Sequence, residues 1–287
     1  MAETLDRLLD LLDLEQIEVD IFRGRSPDER RQRVFGGQVA GQALVAAGRT
    51  VPADRPVHSL HAYFLRPGDP SVPLVYTVDR VREGRSFTTR RVTAIQHGRP
   101  IFTMSASFQR AEAGPEHADP MPDVPPPETI ERTNERLARL FGEAPPQLDR
   151  SPFDLRSVGP MTVEAELDAA LRTTRNLVWL RADGDLPDDP LLHVCLMTYA
   201  SDMTLLDSVQ LATGRTFMDG SMTGASLDHA MWFHRPFRAD RWLLYAQHAL
   251  NASGARGLAR GEVFTEDGIL VVSVVQEGLI RSVPRSS

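Results

Sequence analysis

The sequence predicts an α+β fold built from one unit used twice. Three observations predict it. An apolar helix followed by four strand-like segments occupies residues 39–109. A second helix followed by further strand-like segments occupies residues 189–276. Finally, Tyr63-Phe64-Leu65-Arg66-Pro67 aligns with Trp232-Phe233-His234-Arg235-Pro236 at an offset of 169 residues, and Arg91 aligns with Arg260 at the same offset. Helix first, then antiparallel meander, is an α+β pattern. Two copies in one chain suggest a fused pair packed about a pseudo-twofold axis, a homodimer made covalent.

The first unit reads as follows. Leucines at 5, 8, 9, 11, 12 and 14 place a helix over 4–14. Ile17, Val19 and Ile21 alternate with polar residues, so 16–22 reads as one strand. Residues 24–33 form a charged loop. Phe35-Gly36-Gly37-Gln38 then opens a helix over 39–51, crowded with small residues (Ala40, Gly41, Ala43, Ala46, Ala47, Gly48). It is too apolar for a surface, which places it centrally, wrapped by a sheet. Its glycine-rich start admits two readings: a tight turn, or backbone N–H groups that hold an anion or oxyanion. Strands are expected over 57–65, 74–83, 86–97 and 100–109, separated by the turn signals Arg66-Pro67-Gly68-Asp69, Glu83-Gly84-Arg85 and His97-Gly98-Arg99-Pro100.

Residues 111–150 read as a proline-rich linker carrying a charged surface helix over 129–141, ended by Pro145-Pro146. The domain division expected is therefore 1–110, linker 111–150, and 151–287. In the second unit, 153–158 and 174–181 read as strands, 164–172 is ambiguous, and 189–200 is a helix. A single strand is expected over 226–235, organising the unit, with further strands over 242–251, 254–265 and 269–276. In that first strand Leu227, Met231 and Phe233 fall on one side with His229, and Ser226, Asp228, Trp232 and His234 on the other.

Composition bounds the function. The 287 residues are 41% hydrophobic and 25% charged, as in ordinary globular proteins. A net charge of −7 argues against nucleic acid as a partner. All 32 basic residues are arginine, which we read as genome composition bias. The single cysteine, Cys195, permits no internal disulfide and no cysteine-based zinc site, and reads as a small buried hydrophobe. No apolar run reaches membrane-span length, the start lacks the basic region of a signal peptide, and Val-Pro-Arg-Ser-Ser is no clear peroxisomal address. A cytoplasmic location is the expectation.

Three polar residues stand at the edges of apolar segments: Asp202 after the helix, Ser226 at the strand start, and Gln276 closing Ile-Leu-Val-Val-Ser-Val-Val. Buried polar groups need partners. Either the three form a structural hydrogen-bond network, or a carboxylate, a hydroxyl and a carboxamide fix a water for general-base attack. Other chemistries lack their motifs. There is no Gly-x-Ser-x-Gly elbow, no phosphate loop and no Gly-x-Gly-x-x-Gly. His229 and His234 face opposite sides of a strand and read as structural.

The residues of seven stretches resemble the acyl-CoA thioesterase II family of double-hotdog hydrolases: 35–43, 58–69, 90–102, 199–202, 227–237, 255–261 and 275–278. The resemblance spans nearly the whole chain. It implies two hotdog units, each with a long central helix wrapped by an antiparallel sheet, and hydrolysis of acyl-CoA to fatty acid and CoA. It implies that Asp202, Ser226 and Gln276, all in the second unit, hold the attacking water, with serine here where many members carry threonine. Gly37 and Gln38 become candidate oxyanion donors through their backbone N–H groups, and Gln109 becomes scaffold. No metal or cofactor is implied. The partner implied is the acyl-CoA substrate, and the fused pair permits further pairing into homo-oligomers. Two alternatives are a non-catalytic acyl-CoA-binding protein and a hotdog enoyl-CoA hydratase, although the Asp-x-x-x-x-His pattern of the latter does not stand out.

Overall fold

A computed structural model describes residues 2–27, 33–142, 151–217 and 222–283. The fold is α+β. Among the described residues, thirteen strands form one continuous antiparallel sheet. The first half supplies β1 (Glu15–Glu18), β2 (Ile21–Gly24), β3 (Val57–Phe64), β4 (Leu74–Glu83), β5 (Phe87–Gln96) and β6 (Arg99–Gln109). The second supplies β7 (Phe153–Val158), β8 (Arg175–Ala182), β9 (Met222–Ser226), β10 (Asp228–Phe233), β11 (Leu243–Ser253), β12 (Arg256–Thr265) and β13 (Leu270–Ser282). The strand order is β1-β2-β4-β5-β6-β3-β10-β13-β12-β11-β8-β7, with β9 paired to β13 beside that path.

The halves join where β3 meets β10. In that ladder His61 faces Ala230. These residues are 169 apart, so the offset read from the sequence marks the place where a position meets its own counterpart. A pseudo-twofold axis between them follows from an antiparallel pair related in this way.

Two helices pack together under the sheet: α2 (Gly36–Gly48) and α5 (Pro190–Thr204). Pro190 occupies the first turn of α5, where its missing N–H costs nothing, and Asp189 caps the helix by accepting from Leu191 N at 3.0 Å. The helices run antiparallel, Gly37 lying against Tyr199 and Gly48 against Leu191. At Gly37 the approach is closest: a Cβ there would stand 2.4 Å from the Tyr199 carbonyl oxygen. The small-residue composition of α2 is therefore a packing requirement. Eleven of its thirteen residues are buried, as the expected central position demands. Against it pack α1 (Ala2–Leu12), through Leu5, Leu8 and Leu12, and the sheet residues Leu60, Tyr76, Phe102 and Met104.

Several expectations are corrected. Residues 16–22 are a hairpin, β1 and β2, turning at Asp20 with φ of 57°. The stretch 226–235 is two strands, because Ser226 ends β9 and Leu227 separates it from β10. The short β9 and the helix α6 (Asp207–Thr213) were not legible in the periodicity. Gln276 lies within β13, which continues to Ser282 because β9 adds a partner there. The ambiguous 164–172 forms α4 (Thr162–Leu167) and a 3-10 turn. The proline-rich segment does not hang free. Trp179 Nε1 donates to Pro125 O at 3.0 Å, and Met121, Val124 and Ile130 pack on a cluster around Trp179 and Trp242. The surface helix expected there is α3 (Thr133–Phe141), with Leu137 its buried residue. Pro145-Pro146 lies outside the described residues.

Candidate active site

The site forms where the C-terminal turn of α5 meets the N-terminus of α2. Asp202 projects from α5, Ser226 ends β9 and Gln276 lies on β13, so three separate elements converge. Ser226 Oγ donates to Asp202 Oδ1 at 2.8 Å. Gln276 Nε2 donates to the same oxygen at 2.5 Å. The structure thus brings together the three residues singled out from sequence. Charge-assisted bonds of this length fix the carboxylate firmly.

The second oxygen, Asp202 Oδ2, lies against Gly36. A Cβ on Gly36 would stand 2.6 Å from that oxygen and 2.9 Å from the Phe64 ring, so only glycine admits the carboxylate here. Phe35 caps α2 with an extended backbone, and the first intrahelical bond runs from Val39 N to Phe35 O at 3.3 Å. The N–H groups of Gly36, Gly37 and Gln38 therefore have no acceptor within the helix, and the positive end of its dipole faces the acid.

A cleft of about 540 Å³ opens over this junction, lined by Phe35, Gly36, Val39, Phe64, Asp202 and Ser226, with Arg33 and Arg66 at its exposed rim. Arg33 bonds the Gly224 carbonyl, and Arg66 Nη1 donates to Pro100 O at 2.6 Å. The helix α2 contributes Gly36 and Val39 to the cleft wall. Gly37 is turned to Tyr199, and the buried Gln38 side chain donates to Arg25 O at 2.9 Å. The sequence reading thus missed Gly36, although Phe-Gly-Gly carried the signal: a second glycine that the turn alone does not require.

Asp207 was also missed. It begins α6, accepts from Gln210 Nε2 at 2.6 Å, and lines both the cleft and an adjoining cavity of about 230 Å³. The residue is half-buried, but desolvation of its carboxyl group pushes it up to about 7. Leu137, Leu155, Met161, Val163 and Val178 make that second cavity largely apolar.

The other candidates have plain roles. His229 is buried and His234 exposed, on opposite faces as expected. Cys195 is fully buried, and desolvation raises its thiol far above the usual range, so it is no nucleophile. Gln109 ends β6 far along its strand, with its N–H bonded to Pro56 O at 3.0 Å. Among the described residues, no group of three His, Cys, Asp or Glu could hold a metal, and no helix is long and apolar enough to cross a membrane.

A model of acyl-CoA thioesterases matches residues 157–279, and a model of the acyl-CoA thioesterase N-terminal domain matches residues 26–109. The chain is 40% identical to acyl-CoA thioesterase 2 of Haemophilus influenzae, with 98% of this chain and 99% of that protein covered. Among solved structures, an acyl-CoA thioesterase II, TesB2, from Mycobacterium marinum matches with 44% identity and a TM-score of 0.80, covering 98% of this chain and 99% of that one. A protein with a hot dog fold from Alicyclobacillus acidocaldarius, at 21% identity and a TM-score of 0.78, shares the architecture over 97% of this chain and 99% of that one. Two hotdog units fused in one chain, with one polar junction between their helices, define the class. The chain belongs to the acyl-CoA thioesterase family.

Proposed function

We propose that the protein hydrolyses acyl-CoA thioesters to free fatty acid and CoA, using a water held by Asp202, Ser226 and Gln276. The observation that carries this reading is the convergence of two donors on Asp202 Oδ1 beside the free N-terminus of α2. A carboxylate anchored through one oxygen keeps the other for a water. That oxygen takes the proton as the water attacks the thioester carbonyl, and general-base assistance of this kind contributes about 10²- to 10⁴-fold. Of the unbonded first-turn N–H groups of α2, at Gly36, Gly37 and Gln38, that of Gly36 belongs to the cleft wall and is the donor assigned to the developing oxyanion. Each such donor is worth about 3–4 kcal/mol in measured cases. Transfer of the proton to the departing sulfur completes hydrolysis.

The same reading places the rest of the substrate. Arg33 and Arg66 at the rim supply cations for the phosphates of CoA, and the apolar cavity beyond Met203 and Phe217 takes the acyl chain. Residues 1–110 and 151–287 act as the two hotdog domains, joined by 111–150, and the active residues belong to the second. The cytoplasm is the compartment proposed, and pairing of whole chains into homo-oligomers is compatible with the fused architecture.

The test is thiol release from acyl-CoAs of increasing chain length, with the fatty acid product identified. Release that varies with chain length supports the reading. Saturable binding without release would favour an acyl-CoA-binding protein, and hydration of enoyl-CoA without thiol release would favour a hydratase.

A further inference from the structure

Behind the three site residues lies a second polar layer that the hydrolytic reading does not use. His229 and Gln276 are both buried, at 1% and 0% exposure. Ala230 pairs with Val275 in the β10–β13 ladder, so His229 stands opposite Gln276 one rung further on. Both side chains face inward, toward α5. Two atoms there are buried with no hydrogen-bond partner among the described residues: His229 Nδ1 and Gln276 Oε1. On its other side, His229 Nε2 lies 2.8 Å from Ser201 Oγ, and Ser201 directly precedes Asp202 on α5.

The proton positions in this layer follow from Asp202 outward. A carboxylate can only accept, so Gln276 must present its amide NH2 to Asp202 Oδ1. The amide oxygen is then left for His229, its neighbour across the ladder, whose Nδ1 equally lacks a partner. An acceptor in that place requires a proton on Nδ1. Burial holds the imidazole below its ordinary range, so it stays neutral, and the charges of Asp202 and Asp228 and the interaction with Gln276 act in the opposite sense without outweighing burial. A neutral ring with Nδ1–H has a bare Nε2, which must accept. The Ser201 hydroxyl has three acceptors within reach, His229 Nε2 at 2.8 Å, Thr198 O at 2.9 Å and Met231 Sδ at 3.5 Å. The Thr198 carbonyl has a second lone pair for such a bond, so the hydroxyl proton can serve any of these acceptors, and it is the bare Nε2 required by a proton on Nδ1 that directs it to His229.

We propose that His229 is a positioning residue for hydrolysis: its Nδ1–H holds Gln276 Oε1, so that Gln276 can present only its NH2 to Asp202. An amide left unheld could turn over and set its oxygen against the carboxylate, which would repel it and release the base. The first half of the molecule supports a role tied to the site. His229 corresponds to Leu60 at the offset of 169, and Leu60 faces Ala106 in its ladder. Where there is no carboxylate to orient, the same rung is filled by two apolar residues. The proposal rests on the roles given above to Asp202 and Gln276.

The test combines a spectroscopic and a kinetic measurement. In protein labelled with ¹⁵N-histidine, the His229 ring is identified by the signals lost in His229→Asn. The expected result is a neutral ring with the proton on Nδ1; a proton on Nε2, or a charged ring, overturns the proposal. Kinetically, His229→Leu should lower kcat for thiol release about ten- to a hundredfold, the scale seen when an outer partner that orients a functional group is lost. KM should hold within about twofold, because His229 touches no substrate. His229→Asn keeps a donor near the Nδ1 position and should recover most of the loss. Equal losses in the two variants, or a change confined to KM, would overturn it. The ring measurement on the unmutated protein stands even where the leucine variant does not fold. An Asp202→Asn variant with undiminished rate would sink the hydrolytic reading instead, while the His229 tautomer would still report on the relay itself.

Discussion

The two halves of the sheet hold the same ladder in two chemical versions. In the first, Leu60 faces Ala106 across β3 and β6, both buried and apolar. In the second, His229 stands opposite Gln276 across β10 and β13, both buried and polar. The ends of the helix pair differ in the same way. Where α2 begins, Gly36 meets the Asp202 carboxylate; where it ends, Gly48 meets the Leu191 side chain. Burying polar groups costs several kcal/mol unless each finds a partner. The first half avoids that cost with hydrocarbon. The second meets it with two bonded groups, Ser201 with His229 and Ser226 and Gln276 with Asp202, which the proposed His229–Gln276 contact joins. One fold thus keeps the proposed water-holding residues in its second unit, while the first supplies a stabilising ladder and the N-terminus of α2.

The comparison can be broken most sharply at Asp202. Asp202→Asn should lower thiol release by about 10²- to 10⁴-fold with the fold intact by circular dichroism. A smaller loss is expected from Gly36→Ala. The new methyl group would stand 2.6 Å from Asp202 Oδ2, so the carboxylate must shift. We expect kcat to fall about tenfold or more, on the principle that displacing a reacting group by about 1 Å costs up to 10²-fold, and kcat measured beside KM checks it. Leu60→Ala, at the silent counterpart of His229, should behave oppositely. It should cost about 2–5 kcal/mol in denaturant unfolding, yet leave kcat per folded molecule unchanged. A loss of kcat there would show that this rung of the first half, and not only the N-terminus of α2, shares in the chemistry.

The smallest effect concerns acid. His58, His193, His229 and His234 are all held below the ordinary value of 6.5, chiefly by burial. The native state therefore binds fewer protons than the unfolded chain once pH drops beneath that value. Stability from these groups is complete above about pH 6.5 and is lost as pH falls. Urea midpoints between pH 7 and 5 should decline, and His229→Asn should make the decline shallower.

Much of this was legible because it is periodic or repeated. The strands 74–83 and 153–158 appear as expected, since turn residues bracket them in sequence. The repeat offset implied a pseudo-twofold axis, and the join at His61 and Ala230 lies where equivalent residues face each other across it. Asp202, Ser226 and Gln276 stood out as polar residues bordering apolar runs. Their meeting was not legible: they come from α5, β9 and β13, and contact between them depends on how β9 lies against the far end of β13. β9 itself, Met-Thr-Gly-Ala-Ser, has no strand signature, because its partner and not its composition makes it a strand. Gly36 was hidden for a related reason. Its requirement comes from a carboxylate 166 positions away, not from the turn beside it.

The most direct measurement is a single turnover in H₂¹⁸O, with enzyme in excess over acyl-CoA. If Asp202 activates a water that attacks the thioester carbonyl, the fatty acid from that first turnover carries one ¹⁸O, and label is absent from the Asp202 carboxylate. Unlabelled acid, with ¹⁸O appearing in the Asp202 side chain, would show that the carboxylate itself attacks and would contradict the role assigned to the water.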